Sequence, residues 1–151
     1  MLILRFALGD RSFGIAASLV REILPVCRLR SVPLAPPYIA GDFLLRGVAC
    51  PVLDLRRWLD GEPTRVDLAT RMILLDWAGA AASGPLAVLG ERVRDVVEVP
   101  ATAVMPPAVG RAEELVLAGT VVIDGTIVGL LDPATLVDGE LAGVLYARAG
   151  A

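Results

Sequence analysis

The sequence contains no histidine and no lysine; all 14 of its basic residues are arginine. The first absence removes Ser-His and Cys-His nucleophiles, the imidazole general base and any metal site built on histidine. The second removes Schiff-base chemistry and the lysine of a Walker A phosphate loop. Neither a GxGxxG nor a GxSxG motif is present. Cysteine is scarce as well. Cys27 and Cys50 form no CxxC pair and read as small core residues in a reducing compartment rather than as a disulfide. What remains for catalysis is carboxylates, such as Asp60 with Glu62 or Glu113 with Glu114. Both pairs lie among turn or helix-favouring residues, where a solvated surface is the simpler reading. The composition therefore predicts a chain without enzymatic activity, resident metal or cofactor.

Long apolar runs are missing too, although hydrophobic residues make up 56% of the chain and the mean hydropathy is +0.68. The longest stretch free of charge runs from Trp77 to Gly90 and contains Pro85 and three glycines. A bilayer span needs about 20 apolar residues, so no direct membrane insertion is expected. The opening MLILRFALGD is interrupted by Arg5 and Asp10 and has no basic n-region, unlike a signal peptide, which predicts a cytoplasmic location. A net charge of −3 with 5% aromatic residues argues against nucleic-acid binding. The charge is uneven: residues 1–65 carry nine arginines against six acids (+3), and residues 66–151 carry five against eleven (−6). Two oppositely charged halves would steer partners. At 151 residues the chain is one domain or two very small units packed together, able to bury roughly 70% of its unfolded surface.

What is there in quantity is short strand-like runs between turn signals, the pattern of barrels or a sandwich. Leu2 to Leu8 alternates, Gly9-Asp10 turns, and Ser12 to Ile15 returns. Val48 to Leu55, Met72 to Trp77 and Leu86 to Leu89 are further apolar runs, with a loose hairpin loop over Gly79 to Pro85. Val121 to Ile123, Asp124-Gly125 and Thr126 to Leu131 make the clearest hairpin, because Asp-Gly suits a type I′ turn. Helical signals are brief. Ala17 to Leu24 reads as two turns stopped by Pro25, and Leu55 to Asp60 as a short helix ended by Gly61. Asp132 with Pro133 opens a third helix, to Gly139, and Glu140 to Ala147 a fourth. Pro51 inside a strand run implies an edge strand or a bulge. GVACPVL, RMILLDW and TIVGLL are apolar on both faces, so something must cover the outer face of each, either a second barrel of the same chain or a partner.

These residues resemble the CheW family of chemotaxis coupling proteins from Phe6 to Val137. The resemblance is carried by Phe13-Gly14-Ile15, by Val20-Arg21-Glu22-Ile23, and by Val32-Pro33 through Pro36 to Ile39 and Gly41. Its most specific parts are Leu45-Arg46-Gly47 followed by Pro51-Val52-Leu53-Asp54-Leu55, and Asp124-Gly125 through Leu130-Leu131-Asp132 to Leu136. Two positions depart from the pattern: Leu44 stands where the family usually has asparagine, and Glu91 where it has aspartate. The resemblance implies an all-β fold of two five-stranded SH3-like β-barrels packed together, with a few short helices. One such domain would fill residues 1–151, with a boundary between barrels near residue 65 and strand exchange between them. It implies a stand-alone, non-catalytic adaptor that couples the cytoplasmic tip of methyl-accepting chemoreceptors to the regulatory domain of the histidine kinase CheA and is recruited to receptor arrays. The reading that competes with it is an SH3- or OB-like barrel binding a small ligand or single-stranded nucleic acid.

The partner-binding candidates are Arg46, Glu22, Val20, Ile23, Gly47 and Gly41. Arg46 lies between Leu45 and Gly47 at a turn, where an arginine either offers its planar fork to a partner carboxylate or pairs internally with Glu22 or Asp54. By the resemblance it meets a partner, with the Glu22 pair positioning it. Val20, Glu22 and Ile23 lie on or beside the first short helix, where Val20 and Ile23 at i and i+3 fit core or contact equally. Gly41 and Gly47 bracket the turn into the strand from Val48, and read first as turn glycines. Asp54 reads as the cap of the Leu55 helix.

Overall fold

The computed structural model describes residues 1–78, 83–106 and 117–133. The third and fourth expected helices, the loop after Ala78 and the Glu113–Glu114 pair lie wholly or mostly outside the described residues. Ten strands form two five-stranded sheets. In the first, β8 (Val96–Glu98), β1 (Leu2–Leu8), β2 (Arg11–Ala16), β10 (Thr126–Leu131) and β9 (Leu117–Ile123) lie side by side in that order. In the second the order is β3 (Val20–Pro25), β6 (Arg71–Ala78), β7 (Ser83–Gly90), β5 (Val48–Leu53) and β4 (Ile39–Leu45). Each sheet curls until the chain leaving one edge strand reaches the other edge. Past β3, Arg30 exchanges backbone hydrogen bonds of 2.8 and 3.0 Å with Asp42 on β4; past β8, Met105 exchanges two of 2.8 Å with Thr120 on β9.

The expected boundary near residue 65 is wrong, because that residue lies inside the run of the second sheet. The second sheet takes residues 20–90 without interruption, and the first is assembled from both ends of the chain around it. The split into +3 and −6 halves therefore matches no structural unit: residues 20–90 carry +1 and the flanking segments together −4.

The strands that are apolar on both faces explain why two sheets are needed. Along β6, Ile73 and Leu75 point into a cluster shared with Leu4, Phe6, Phe13 and Ile15 of the first sheet, while Met72 and Leu74 point the other way. β7 divides likewise, Leu86 and Val88 against Ala87 and Leu89. Period-two alternation thus sorts side chains into three cores: one between the sheets, one inside the second sheet with Cys50 and Val52, and one inside the first with Ile3, Val121 and Val128.

One helix, α1 (Leu55–Asp60), follows β5 as expected. The Asp54 carboxylate caps it, accepting from the Arg57 amide at 3.1 Å and from the Thr64 hydroxyl at 2.6 Å, and Gly61 ends it at φ 78°. The two helical turns expected over Ala17 to Leu24 are not formed. Ala17–Leu19 is a single 3-10 turn, and β3 follows at once, because Val20 to Pro25 pairs along β6, where β-branched Val20 and Ile23 are at home. Pro51 is also not on an edge, since β5 lies between β4 and β7. Its partner Asp42 directs its amide and carbonyl outward to Arg30, so the Pro51 nitrogen faces β7, where pairing begins only at Val52.

A candidate docking surface on the second sheet

β4 and β5 are joined by a two-residue turn made of Arg46 and Gly47, with Leu45 and Val48 as the closing pair. Both turn residues have positive φ, 48° and 82°, the requirement of a type I′ hairpin, whose twist matches that of its strands. Gly47 meets that demand freely, and nothing lies within 4 Å of where its Cβ would be. Arg46 meets it at a cost, since left-handed backbone is unfavourable for a residue with a Cβ. Its side chain projects into solvent, 66% exposed.

Across the seam of the curled sheet stands β3, at the opposite edge from β4. Its Glu22, half-buried, accepts a hydrogen bond from Arg46 Nη2 at 3.3 Å. This contact, exposed and from a single nitrogen, stabilises the fold little. It holds the guanidinium over the seam and leaves Nε and Nη1 with no hydrogen-bond partner among the described residues. The alternative internal partner, Asp54, is buried beneath α1 and occupied by Arg57 and Thr64.

The remaining candidates divide. A bulge at Arg21 puts Val20 and Ile23 out of helical step. Val20 packs against the core between the sheets, whereas Ile23 is 43% exposed beside Glu22. Gly41 is not at the turn but within β4, at a register shift, with φ 150°. A Cβ there would lie 2.5 Å from the Arg30 carbonyl oxygen and 2.9 Å from Leu29 Cβ, so its role is to let the Arg30 segment close the seam. Arg46, Glu22 and Gly47 are thus brought together, while Ile23, next to Glu22 on β3, is exposed on the other face of the strand; Val20 and Gly41 support them from within. Sequence reasoning did not place Leu44 and Val48 on this surface, though both are exposed large apolar residues of the hairpin. The signal was present in the apolar residues on both faces of FLLRGVAC.

The cysteines also separate. Cys50 is buried, and burial pushes its thiol up to about 11 despite a hydrogen bond from the Ala87 backbone. Cys27 is exposed rather than a core residue, and both are free thiols.

Comparison with known proteins bears on the family and the fold. Residues 2–141 match the CheW-like domain. The chain is 30% identical over 105 residues to protein FrzA of Myxococcus xanthus, covering 70% of this chain and 63% of that one. It is 33% identical over 70 residues to the chemotaxis protein CheW of Bacillus subtilis, covering 46% of this chain and 45% of that one. The matched regions span less than two thirds of these relatives' length. The fold superposes with a TM-score of 0.82 on the scaffolding protein TtCheW of Thermoanaerobacter tengcongensis, over 93% of this chain and 89% of that one at 20% identity. With its strand order, its Leu45-Arg46-Gly47 hairpin and a family match over nearly its whole length, the chain belongs to the CheW-like domain family.

Proposed function

We propose that this chain is a non-catalytic cytoplasmic adaptor that couples chemoreceptors to the histidine kinase CheA in receptor arrays, and that Arg46, Glu22 and Gly47 form one of its docking surfaces. The observation that carries the reading is Arg46 itself. A left-handed arginine, restrained by one exposed hydrogen bond to β3 and carried on a hairpin with exposed Leu44 and Val48, contributes little to folding and much to presentation. Its fork is aimed outward for a partner carboxylate, and the apolar rim supplies the area that a charge alone does not. The family supports the partner assignment, with the CheA regulatory domain and the chemoreceptor tip as the two sides of the bridge. Val20, partly buried, and Gly41, buried, act as supports.

The competing reading, a barrel that binds single-stranded nucleic acid, needs exposed aromatic platforms. Phe6, Phe13, Tyr38 and Trp58 pack on the core between the sheets and Phe43 on the core inside the second. None of these five is free to stack a base.

Calorimetric titration against the CheA regulatory domain and a receptor-tip fragment tests the assignment. Arg46→Ala should weaken one of the two bindings by about 1–3 kcal/mol, the range for removing a charged hydrogen-bonding group, and Arg46→Lys should restore only part of it. Unchanged affinity for both would remove Arg46 from the docking surface.

A further inference from the structure

A cavity of about 280 Å³ opens at the end of the first sheet where the β1–β2 and β9–β10 turns lie. Ala7, Ile123 and Val128 form its apolar part, and the last two belong to the core inside that sheet, which reaches the cavity here. The mouth of a curled sheet is a common ligand site, and this volume, at the low end for such pockets, suits a small molecule. The rim is charged. Arg5, Arg92 and Arg94 stand there with Asp95 and Asp124, three positive groups against two negative, or +1. Glu91, the nearest further acid in sequence, is buried on Arg56 and does not line the cavity.

The three arginines are not equally free. Arg5 is committed: Nε and Nη2 bond the two Asp95 oxygens at 3.0 and 2.8 Å, and Nη1 lies 3.7 Å from Asp124. Those bonds, with the nearby charge of Arg94, hold the Asp95 carboxyl below the usual carboxylate range, so it stays an anion that Arg5 satisfies. Arg92 spends only Nη2, on the Gly9 carbonyl at 2.8 Å, and that bond and its left-handed backbone (φ 46°) fix it at the rim. Arg94 makes no ion pair or side-chain hydrogen bond among the described residues. The surplus positive charge is therefore carried by Arg92 and Arg94, beside an apolar recess. We infer that this cavity binds a small organic monocarboxylate, its carboxylate received by Arg92 and Arg94 and its carbon chain laid over Ala7, Ile123 and Val128. A planar carboxylate fits a guanidinium fork through two parallel hydrogen bonds, and one negative charge brings the cavity to neutrality. Ser12 and Thr126 line the wall and offer hydroxyls to the same ligand. The cavity is on the sheet that does not carry the Arg46 hairpin, so the site is additional to the docking role and independent of it.

The test is an NMR titration of the full, labelled chain with sodium butyrate and sodium benzoate, with butyramide, inorganic phosphate and a terminally blocked glutamate peptide as controls. At least one of the two acids should give saturable shifts in the amides of 5–7, 92–95 and 123–128. Arg94→Ser should weaken binding about tenfold, as for the loss of a charged hydrogen-bonding group. Arg94→Lys should recover only part of it, because an ammonium offers no fork. Arg28→Ser, which removes the same charge from an exposed position between β3 and β4, should leave binding unchanged. Arg94 is exposed, and thermal melts equal to wild type will show that its variants fold. Shifts that do not saturate with either acid, survive Arg94→Ser undiminished, fall equally with Arg28→Ser, arise as strongly with butyramide, or appear only with phosphate or the peptide would overturn the inference.

Discussion

Arg46 shows most directly how one residue is placed for use rather than for stability. Its left-handed backbone costs roughly 1–2 kcal/mol relative to a residue that adopts it freely. Arg46→Asn, which builds the favoured Asn-Gly turn, should therefore raise the melting temperature or leave it unchanged while still weakening partner binding. A fall in melting temperature for Arg46→Asn would show that the Glu22 contact matters to folding. The cysteines give a second residue-scale prediction. Cys27 should react readily with an alkylating reagent at neutral pH and Cys50 only on unfolding, because only Cys27 is exposed and the Cys50 thiol is pushed up to about 11. As the folded value lies above the ordinary one of 9.0, Cys50 favours the folded state below that pH and its contribution is lost as pH rises toward 11. Cys50→Ser should flatten this alkaline loss in a series of melts. At this scale the sequence was a fair guide to residues whose role is local, such as Asp54 and Gly61 about α1. It could offer Arg46 only a choice of partners, because its contact with Glu22 depends on how far the sheet curls.

Elements were legible where their signals are short-range. The Asp124-Gly125 hairpin and the capped α1 form where expected, since turn and cap chemistry act within a few residues. β3 was mistaken for a helix because its bulge at Arg21 breaks the alternation that would mark a strand. The closing of the second sheet was not legible at all, since it joins Arg30 to Asp42 through backbone and a bidentate side-chain pair at 2.7 and 2.8 Å. Two predictions belong to that closure. Gly41→Ala should destabilise the fold by about 2–4 kcal/mol in chemical denaturation, because the backbone that a Cβ would strike cannot move without opening the seam. A loss under about 1 kcal/mol would show that the seam yields. The Arg30 guanidinium holds the Asp42 carboxyl below the usual carboxylate range. This contribution is present above the ordinary carboxylate value and is lost as pH falls through the lowered one, so Asp42→Asn should reduce the acid sensitivity of the melting temperature.

For the whole molecule, the apolar residues on both strand faces called for a cover, either a second barrel or a partner, and the core between the two sheets shows that the chain supplies it itself. The assignment of strands to units was not implied, because the parallel pairing of β2 with β10 joins the two parts of the first sheet across more than a hundred residues of chain. The sheets are tied together by Glu91, whose buried carboxylate accepts from the Gly9 amide at 2.9 Å, Arg56 Nη1 at 3.0 Å and the Arg65 amide at 3.0 Å. Glu91→Gln should cost about 1.5–3 kcal/mol, the range for hydrogen bonds to a charged group. No helix among the described residues is long and apolar enough to cross a membrane. The claim that the chain is a bridge is tested most directly by sedimenting a chemoreceptor-tip assembly with the CheA kinase, with and without this chain. The account predicts that the kinase co-sediments in proportion to added chain, and less so with Arg46→Ala. Kinase recovery that does not change when the chain is added would contradict it.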